Sequence, residues 1–308
     1  MDVLDDILDT LSLQGALYFH ADFAPPWGVT VPDLHQAARF HLVISGSCHV
    51  GFGSGSSLTL GPGDLVLIPR GRSHVLADAP RRRAPPLETI LQETGYDGKG
   101  TLIAGSRNRF ATTQMLCGHF TFRKGADHPL LRALPEYLTT LASERDPDSW
   151  LSELLRLTTS RVFQHDLRSA ATITRLSEIV FMELLRSGIQ RGPGLGSVLE
   201  AFCDRHIGHA LQVIHSRPEQ PWTVDALARE VGMSRSRFAE RFRDLMGMGP
   251  MAYLSDWRLQ KALTLLHDPR ASVQQVASEI GYDSPAAFTR AFSSKFGVAP
   301  TEYRRELA

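Results

Sequence analysis

The sequence predicts an α+β protein: a β-barrel first, a helical segment after it, and then an all-α domain of two helix-turn-helix units joined by a linker helix. Three observations carry that prediction. Short apolar runs broken by glycine and proline fill residues 15 to 125, the texture of strands and turns. Beyond Pro129 the apolar residues move to helical spacing. The stretch from 217 to 308 carries one pattern twice, at an offset of 49 to 50 residues.

Composition limits the function classes without choosing among them. A chain of 308 residues has the length of two domains, and 43% hydrophobic with 21% charged residues belongs to a globular protein rather than a disordered or fibrous one. The formal net charge is zero, and residues 217 to 308 hold 13 Lys/Arg against 11 Asp/Glu, so domain-wide basicity is no argument for nucleic acid. Cys48, Cys117 and Cys203 show no CxxC spacing and read as thiols rather than a disulfide framework. The opening MDVLDDILDTL is acidic, and no apolar run reaches the roughly 18 residues of a membrane span, so a cytoplasmic protein with no membrane partner is expected.

Residues 1–128 form the expected barrel, from runs such as FHLVISGSCHVGFG, SLTLGPGDLVLIPRG and QMLCGHFTF. Within it, 78–100 mixes proline, glycine and charge and reads as a long, mobile surface connection. Residues 129–195 continue as amphipathic helices. Their apolar faces, with Trp150, Leu151, Leu154, Leu155 and Leu157 and with Ile179, Val180, Met182, Leu184 and Leu185, either mediate dimerisation or cover the barrel. Gly188, Gly192, Pro193, Gly194 and Gly196 then break the helical pattern ahead of a domain at 200–308.

That last domain is read from its repeat. Val224, Ala228 and Gly232 match Val273, Ala277 and Gly281, and Phe238, Phe242, Gly247, Pro250 and Tyr253 match Phe288, Phe292, Gly297, Pro300 and Tyr303. In each copy an apolar stripe at i, i+3, i+4, i+7 makes one helix, a glycine stops it, a serine (Ser234, Ser284) caps the next, and two phenylalanines at i and i+4 face inward. The first unit spans about 224–246 and the second about 273–296. PMAYLSDWRLQKALTLLH at about 250–267 reads as a continuous strut about 27 Å long, near the roughly 34 Å of one DNA turn.

With WTVDALAREVGMSRSRFAERF, this linker and PAAFTRAFSSKFGVAPTEYRR, the chain resembles the AraC/XylS family of bacterial regulators over residues 200 to 305. The resemblance implies transcription regulation without catalysis, with double-stranded DNA and RNA polymerase as partners. It places Ser236, Ala239, Glu240 and Arg243, and Ala286, Thr289 and Arg290, on DNA-facing positions, with Ser284 at the start of the second recognition helix. Arg235, Arg237 and Arg241 either touch phosphate or solvate the surface.

The run GDLVLIPRGRSH, Gly63 to His74, fits the second cupin motif residue for residue, whereas the histidines and glutamate of the first motif are not at their spacing before Gly46. His41 precedes Gly46 by five residues where the metal-binding glutamate of that motif precedes it by seven, which keeps His41 on the same strand face. Residues 4 to 140 thus resemble the cupin-type sensing domain found in a branch of the same family. Two roles stay open for His41, His74, Cys117 and His119: ligands of zinc or another borderline metal, or barrel-lining side chains held by hydrogen bonds or facing an organic effector. Cys117, near His119 or His74, is the candidate for a thiol of lowered pKa, with Cys48 facing away from the lumen and Cys203 in a helix core. The effector is then a small molecule, a metal or an oxidant, and a homodimer follows if the helices of 129–195 mediate dimerisation rather than cover the barrel. The competing reading is a cupin-type metalloenzyme with an accessory DNA-binding module.

Overall fold

The computed structural model describes residues 3–12, 14–34, 37–106, 111–163, 170–190 and 197–307. The chain divides into two compact units that interleave along the sequence: Leu13–Phe122 with Pro135–Ser187, and Met1–Ser12 with Arg123–Leu134 and Gly188–Ala308. Helix α1 (Val3–Leu11) opens the chain and belongs to the second unit.

Among the described residues the first unit holds two sheets. One is six-stranded in the order β10-β6-β3-β9-β1-β8, built from β1 (Gln14–Ala24), β3 (Ala37–Ser45), β6 (Leu65–Ile68), β8 (Thr101–Gly105), β9 (Thr113–Thr121) and β10 (Leu138–Thr140). The other is four-stranded, β2-β7-β4-β5, from β2 (Gly28–Val31), β4 (Cys48–Phe52), β5 (Ser57–Leu60) and β7 (His74–Ala77). Neighbouring strands pair antiparallel, except that β1 and β8 run parallel. Phe23, Val29, Val43, Val50, Leu76 and Met115 pack together in the barrel interior. Residues 78–100, expected as a mobile connection, contain helix α2 (Leu87–Thr94), stopped by Gly95 in the left-handed conformation.

Strand alternation gives β3 two different faces. His41 and Val43 point into the barrel, and Phe40 and Leu42 point the other way, where α4 (Trp150–Phe163) and α5 (Ala170–Gln190) cover them. Phe181 is wholly buried and its ring lies 4.9 Å from that of Phe120. Leu155, Val180 and Leu184 join it against Leu65, Leu67 and Leu116. These apolar faces therefore cover the sheet, and only Trp150 of the set stands well exposed, at 60%.

The second unit is helical. Besides α1 it contains α3 (Pro129–Ala133), α6 (Ser197–Cys203), α7 (Arg205–Ser216), α8 (Val224–Glu230), α9 (Arg235–Met246), α10 (Pro250–Leu265), α11 (Val273–Glu279), α12 (Pro285–Phe296) and α13 (Pro300–Leu307). Helices α8 and α9, then α11 and α12, are the two hairpins read from the repeat, and α10 connects them. At 16 residues α10 is about 24 Å long, ending at Leu265 rather than near 267. Gly281 (φ 82°) makes the turn between α11 and α12, and a Cβ there would sit 2.5 Å from the Glu219 carbonyl oxygen. Ser272 and Gln275 form a reciprocal capping box on α11. The aromatic spine Phe288, Phe292 and Tyr303 fills the second hairpin, and Phe238 with Phe242 fills the first.

Candidate nucleic-acid interface and barrel site

Helical geometry sorts the side chains of α9 and α12. With Phe238 and Phe242 turned inward, a turn of about 100° per residue carries Ser236, Glu240 and Arg243 to the far side and Ala239 to its edge. The same turn on α12 carries Ala286 and Arg290 outward from Phe288 and Phe292, and Thr289, like Ala239, to the edge of that face. Ser236, Arg237, Glu240, Arg243, Ala286 and Arg290 are exposed, and Ala239 and Thr289 are half-buried. Ser293 stands where Arg243 does in the first copy, a position absent from the expected set although the 50-residue offset points to it.

The flanking arginines divide differently. Arg241 is ion-paired with Asp204, the N-cap residue of α7, so it braces two helices rather than standing free for phosphate. Arg235 lies 3.4 Å from Asp225 of α8. Ser284 caps α12 by accepting the Ala287 amide, but Ser234, at the matching position, makes no side-chain cap bond among the described residues.

Beneath α9 runs a buried chain of hydrogen bonds that the sequence did not announce. The Leu130 amide donates to His128 Nδ1 at 3.1 Å, which leaves Nε2 as the donating nitrogen of that neutral ring. His128 Nε2 and Tyr253 Oη are 3.0 Å apart, and Tyr253 Oη and His215 Nε2 are 2.7 Å apart. His215 Nδ1 then donates to Asp6 at 2.9 Å, and Lys261 Nζ reaches the other Asp6 oxygen at 2.9 Å. One direction satisfies every member: His128 to Tyr253, Tyr253 to His215, His215 to Asp6. Burial, with the positive charge around it, holds His128 well below the usual histidine range. Burial also holds His215 down, against the pull of Asp6. Burial alone would raise Asp6, but the bonds from His215 and Lys261 outweigh it and leave the carboxyl lowered. Tyr253 also carries the edge of Phe242 of α9, ring centres 5.7 Å apart.

The barrel interior holds a second directed chain. His74 Nδ1 lies 2.8 Å from the Arg72 carbonyl and must donate to it, so its Nε2 accepts from His41 Nε2 at 2.8 Å. His41 Nδ1 is then an acceptor, and the Cys117 thiol donates to it at 3.1 Å. His41, His74 and Cys117 are each at most 2% exposed. Strand pairing explains the meeting, since His41 stands opposite Cys117 and His74 starts β7 after the turn at Gly71. His119 shares the parity of Cys117 but lies one step along the strand, opposite Arg39, and is half-buried. Arg39, 5% exposed, was missed, although the parity argument that selected His41 selects it too.

The same geometry decides between the metal and thiol readings. A tetrahedral ion takes its nitrogen and sulfur ligands within about 2.0–2.3 Å of one point. His41 turns opposite ring nitrogens toward Cys117 and His74, so the three do not converge on one ion. Among the described residues no group of three or more His, Cys, Asp or Glu is arranged to hold a metal. The residues present do not fit zinc. For the thiol, the partner is His41 rather than His119 or His74, and burial, reinforced by nearby Cys48, pushes Cys117 well above its ordinary value instead of lowering it. Burial pushes Cys48 up to about 12. Cys48 belongs to the barrel core, contrary to the parity expectation, because the turn at Gly46 (φ 77°) separates β3 from β4 and resets the alternation. Cys203, expected in a helix core, is exposed.

The chain matches the protein family described as Cupin over residues 2–190 and the one described as Helix-turn-helix domain over residues 227–306. It is similar to the HTH-type transcriptional regulator AlkR of Acinetobacter baylyi, 31% identical over 314 residues, covering 99% of this chain and 100% of that protein. It is also similar to the HTH-type transcriptional regulator MtrA of Neisseria gonorrhoeae, 27% identical over 310 residues, with 99% of each covered. Among solved structures it is similar to the DNA-binding domain of AdpA in complex with a target DNA, with 33% identity and a TM-score of 0.32, over 33% of this chain and 92% of that one.

Proposed function

This chain belongs to the AraC-type family of helix-turn-helix transcription regulators, and from that premise we propose that the outward faces of α9 and α12 read successive major grooves of double-stranded DNA. The observation that carries the proposal is the repeat itself: both helices turn phenylalanines inward and polar or small side chains outward at matched positions. Arg243 and Arg290 suit guanine, Glu240 accepts from cytosine, and Ala239, Ala286 and the Thr289 methyl suit thymine. Ser236 hydrogen-bonds a base edge or a phosphate, and Arg235 and Arg237 hold phosphate. Ser284 acts through its cap, which fixes the start of α12 where backbone amides favour a phosphate oxygen.

RNA polymerase is the further partner such regulation requires, and no residue is assigned a catalytic role. The barrel unit supplies the regulatory input by binding a small molecule. Zinc and a low-pKa thiol receive no support from the barrel geometry. Among the described residues no helix is long and apolar enough to cross a membrane. The test is selection from a randomised duplex library with the full chain. Two enriched half-sites about 10 base pairs apart are expected. A single half-site, or no enrichment, would overturn two-unit reading.

A further inference from the structure

The separation of the two recognition helices depends on more than the helix that links them. The C-terminal half of α10 belongs to the core of the second hairpin, where Leu259, Ala262 and Leu263 pack with Phe288, Phe292 and Tyr303. α10 and that hairpin are therefore one packed piece. The first hairpin meets the start of α10 at Tyr253 and is joined to it by the short run Gly247 to Gly249. Its lead-in is the loop 217–222, which runs up to Thr223, the N-cap of α8. That loop is tied to the first hairpin: Arg217 is ion-paired with Glu230 of α8 at 3.2 Å, and the Trp222 indole N–H donates to the Arg217 carbonyl at 2.9 Å.

Arg258 of α10 reaches across to that loop. Its Nε donates to the Pro218 carbonyl at 2.7 Å and its Nη2 to the Gln220 carbonyl at 2.8 Å. Between these two carbonyls Glu219 lies against Gly281, the turn of the second hairpin. A Cβ on Gly281 would come within 2.5 Å of the Glu219 carbonyl oxygen, 2.7 Å of its Cα and 2.8 Å of Arg258 Nη2. Gly232 is the matching turn residue of the first copy, with a similar φ (70° against 82°), yet a Cβ there would meet no atom within 4 Å among the described residues. Both turns need left-handed backbone, but of the two only the second is also pressed by another segment. The copies match in sequence and differ in use: the turn of the second is the surface on which the entry to the first is docked.

We propose that Arg258 is a positioning residue for DNA reading: it locks the entry loop of the first hairpin onto the turn of the second, and this lock sets the half-site spacing that α9 and α12 accept. The proposal rests on the reading of both helices as major-groove readers. One base pair more or less between half-sites displaces the second by about 3.4 Å and rotates it by about 35°, a change that a locked pair of helices does not follow. A guanidinium suits this task, because its donors sit in one rigid fork and hold two carbonyls of one loop at little entropic cost.

The lock is tested first without DNA. In the full chain carrying Cys203→Ser, spin labels at Asp244→Cys of α9 and Ser294→Cys of α12, both exposed and outside the base-reading set, report the separation of the recognition helices by double electron–electron resonance. One narrow distance distribution is expected. Arg258→Ala should broaden it about twofold, and so should Gly281→Asn, which tolerates the left-handed backbone but drives a Cβ into Glu219; Gly232→Asn should not. With DNA, fluorescence anisotropy compares the selected site, the same site with one base pair inserted between its half-sites, and a duplex with one half-site scrambled. Insertion should cost the wild type about tenfold and Arg258→Ala less than about threefold, while the two bind the scrambled duplex within about twofold of each other. A narrow distribution in Arg258→Ala, equal effects of Gly232→Asn and Gly281→Asn, an unchanged insertion penalty, or a large loss on the scrambled duplex overturns the lock. If the wild type binds none of the duplexes, the DNA reading fails, and the label distances still decide the lock.

Discussion

Tyr253 Oη lies 2.7 Å from His215 Nε2 and donates to it, which places a helix-to-helix hydrogen bond directly under the ring of Phe242 on recognition helix α9. Tyr253→Phe keeps the ring but strands the His128 Nε2 donor and the His215 Nε2 acceptor, each buried. A loss of about 2–4 kcal/mol in unfolding free energy is expected by urea titration of the full chain. A loss below about 0.5 kcal/mol would mean the hydrogen-bonded chain is not a stabilising unit.

Arg290→Ala and Arg243→Ala should each weaken binding to the selected site by about 1–3 kcal/mol and relax base preference at one position. Fluorescence anisotropy across a set of single-base variants checks both. Unchanged affinity in both variants would count against base reading by these helices.

Arg241→Ala separates bracing from phosphate contact. Because Arg241 is held by Asp204, the variant should leave the slope of log affinity against log salt unaltered, whereas Arg237→Ala should reduce it by about 1. A reduced slope for Arg241→Ala would return that side chain to the DNA.

Acid should destabilise the barrel unit through His74, which burial holds at about 4 against an ordinary value of 6.5. The unfolded chain then binds the proton more readily, so stability is complete above about pH 6.5, falls as pH drops toward 4, and levels off below. His74 alone accounts for about 3 kcal/mol across that window, and burial of His41 adds to it in the same direction. Melting curves between pH 4 and 8 should show a shallower fall for His74→Gln.

Phe181→Ala should cost about 3–5 kcal/mol, since the ring is wholly buried against the sheet face. Differential scanning calorimetry reads the loss. A change in oligomeric state without loss of stability would instead assign α5 to a contact between copies.

Much of this architecture is legible in sequence because its signals are local or periodic. The paired phenylalanines and turn glycines of the two hairpins repeat at a fixed offset, and strand parity brings His41, His74 and Cys117 into one interior. What escapes is non-local or depends on a single turn. Asp6 meets His215 across 209 positions and Lys261 across 255, a pairing no window along the chain detects. The α2 helix is hidden between proline and glycine, and Cys48 is misplaced by one glycine turn. The direction of each hydrogen-bond chain depends on a backbone group, the Arg72 carbonyl or the Leu130 amide, that sequence alone does not locate.

The interleaving of the two units has an evolutionary consequence. A recombination event that exchanged only the residues before α6 would replace Asp6 and His128 along with the barrel, leaving Lys261, His215 and Tyr253 facing foreign side chains. Chimeric regulators made at that junction would inherit a mismatched interior. Grafts that retain Val3–Leu11 and Arg123–Leu134 from the recipient, and exchange Leu13–Phe122 together with Pro135–Ser187, keep each unit whole.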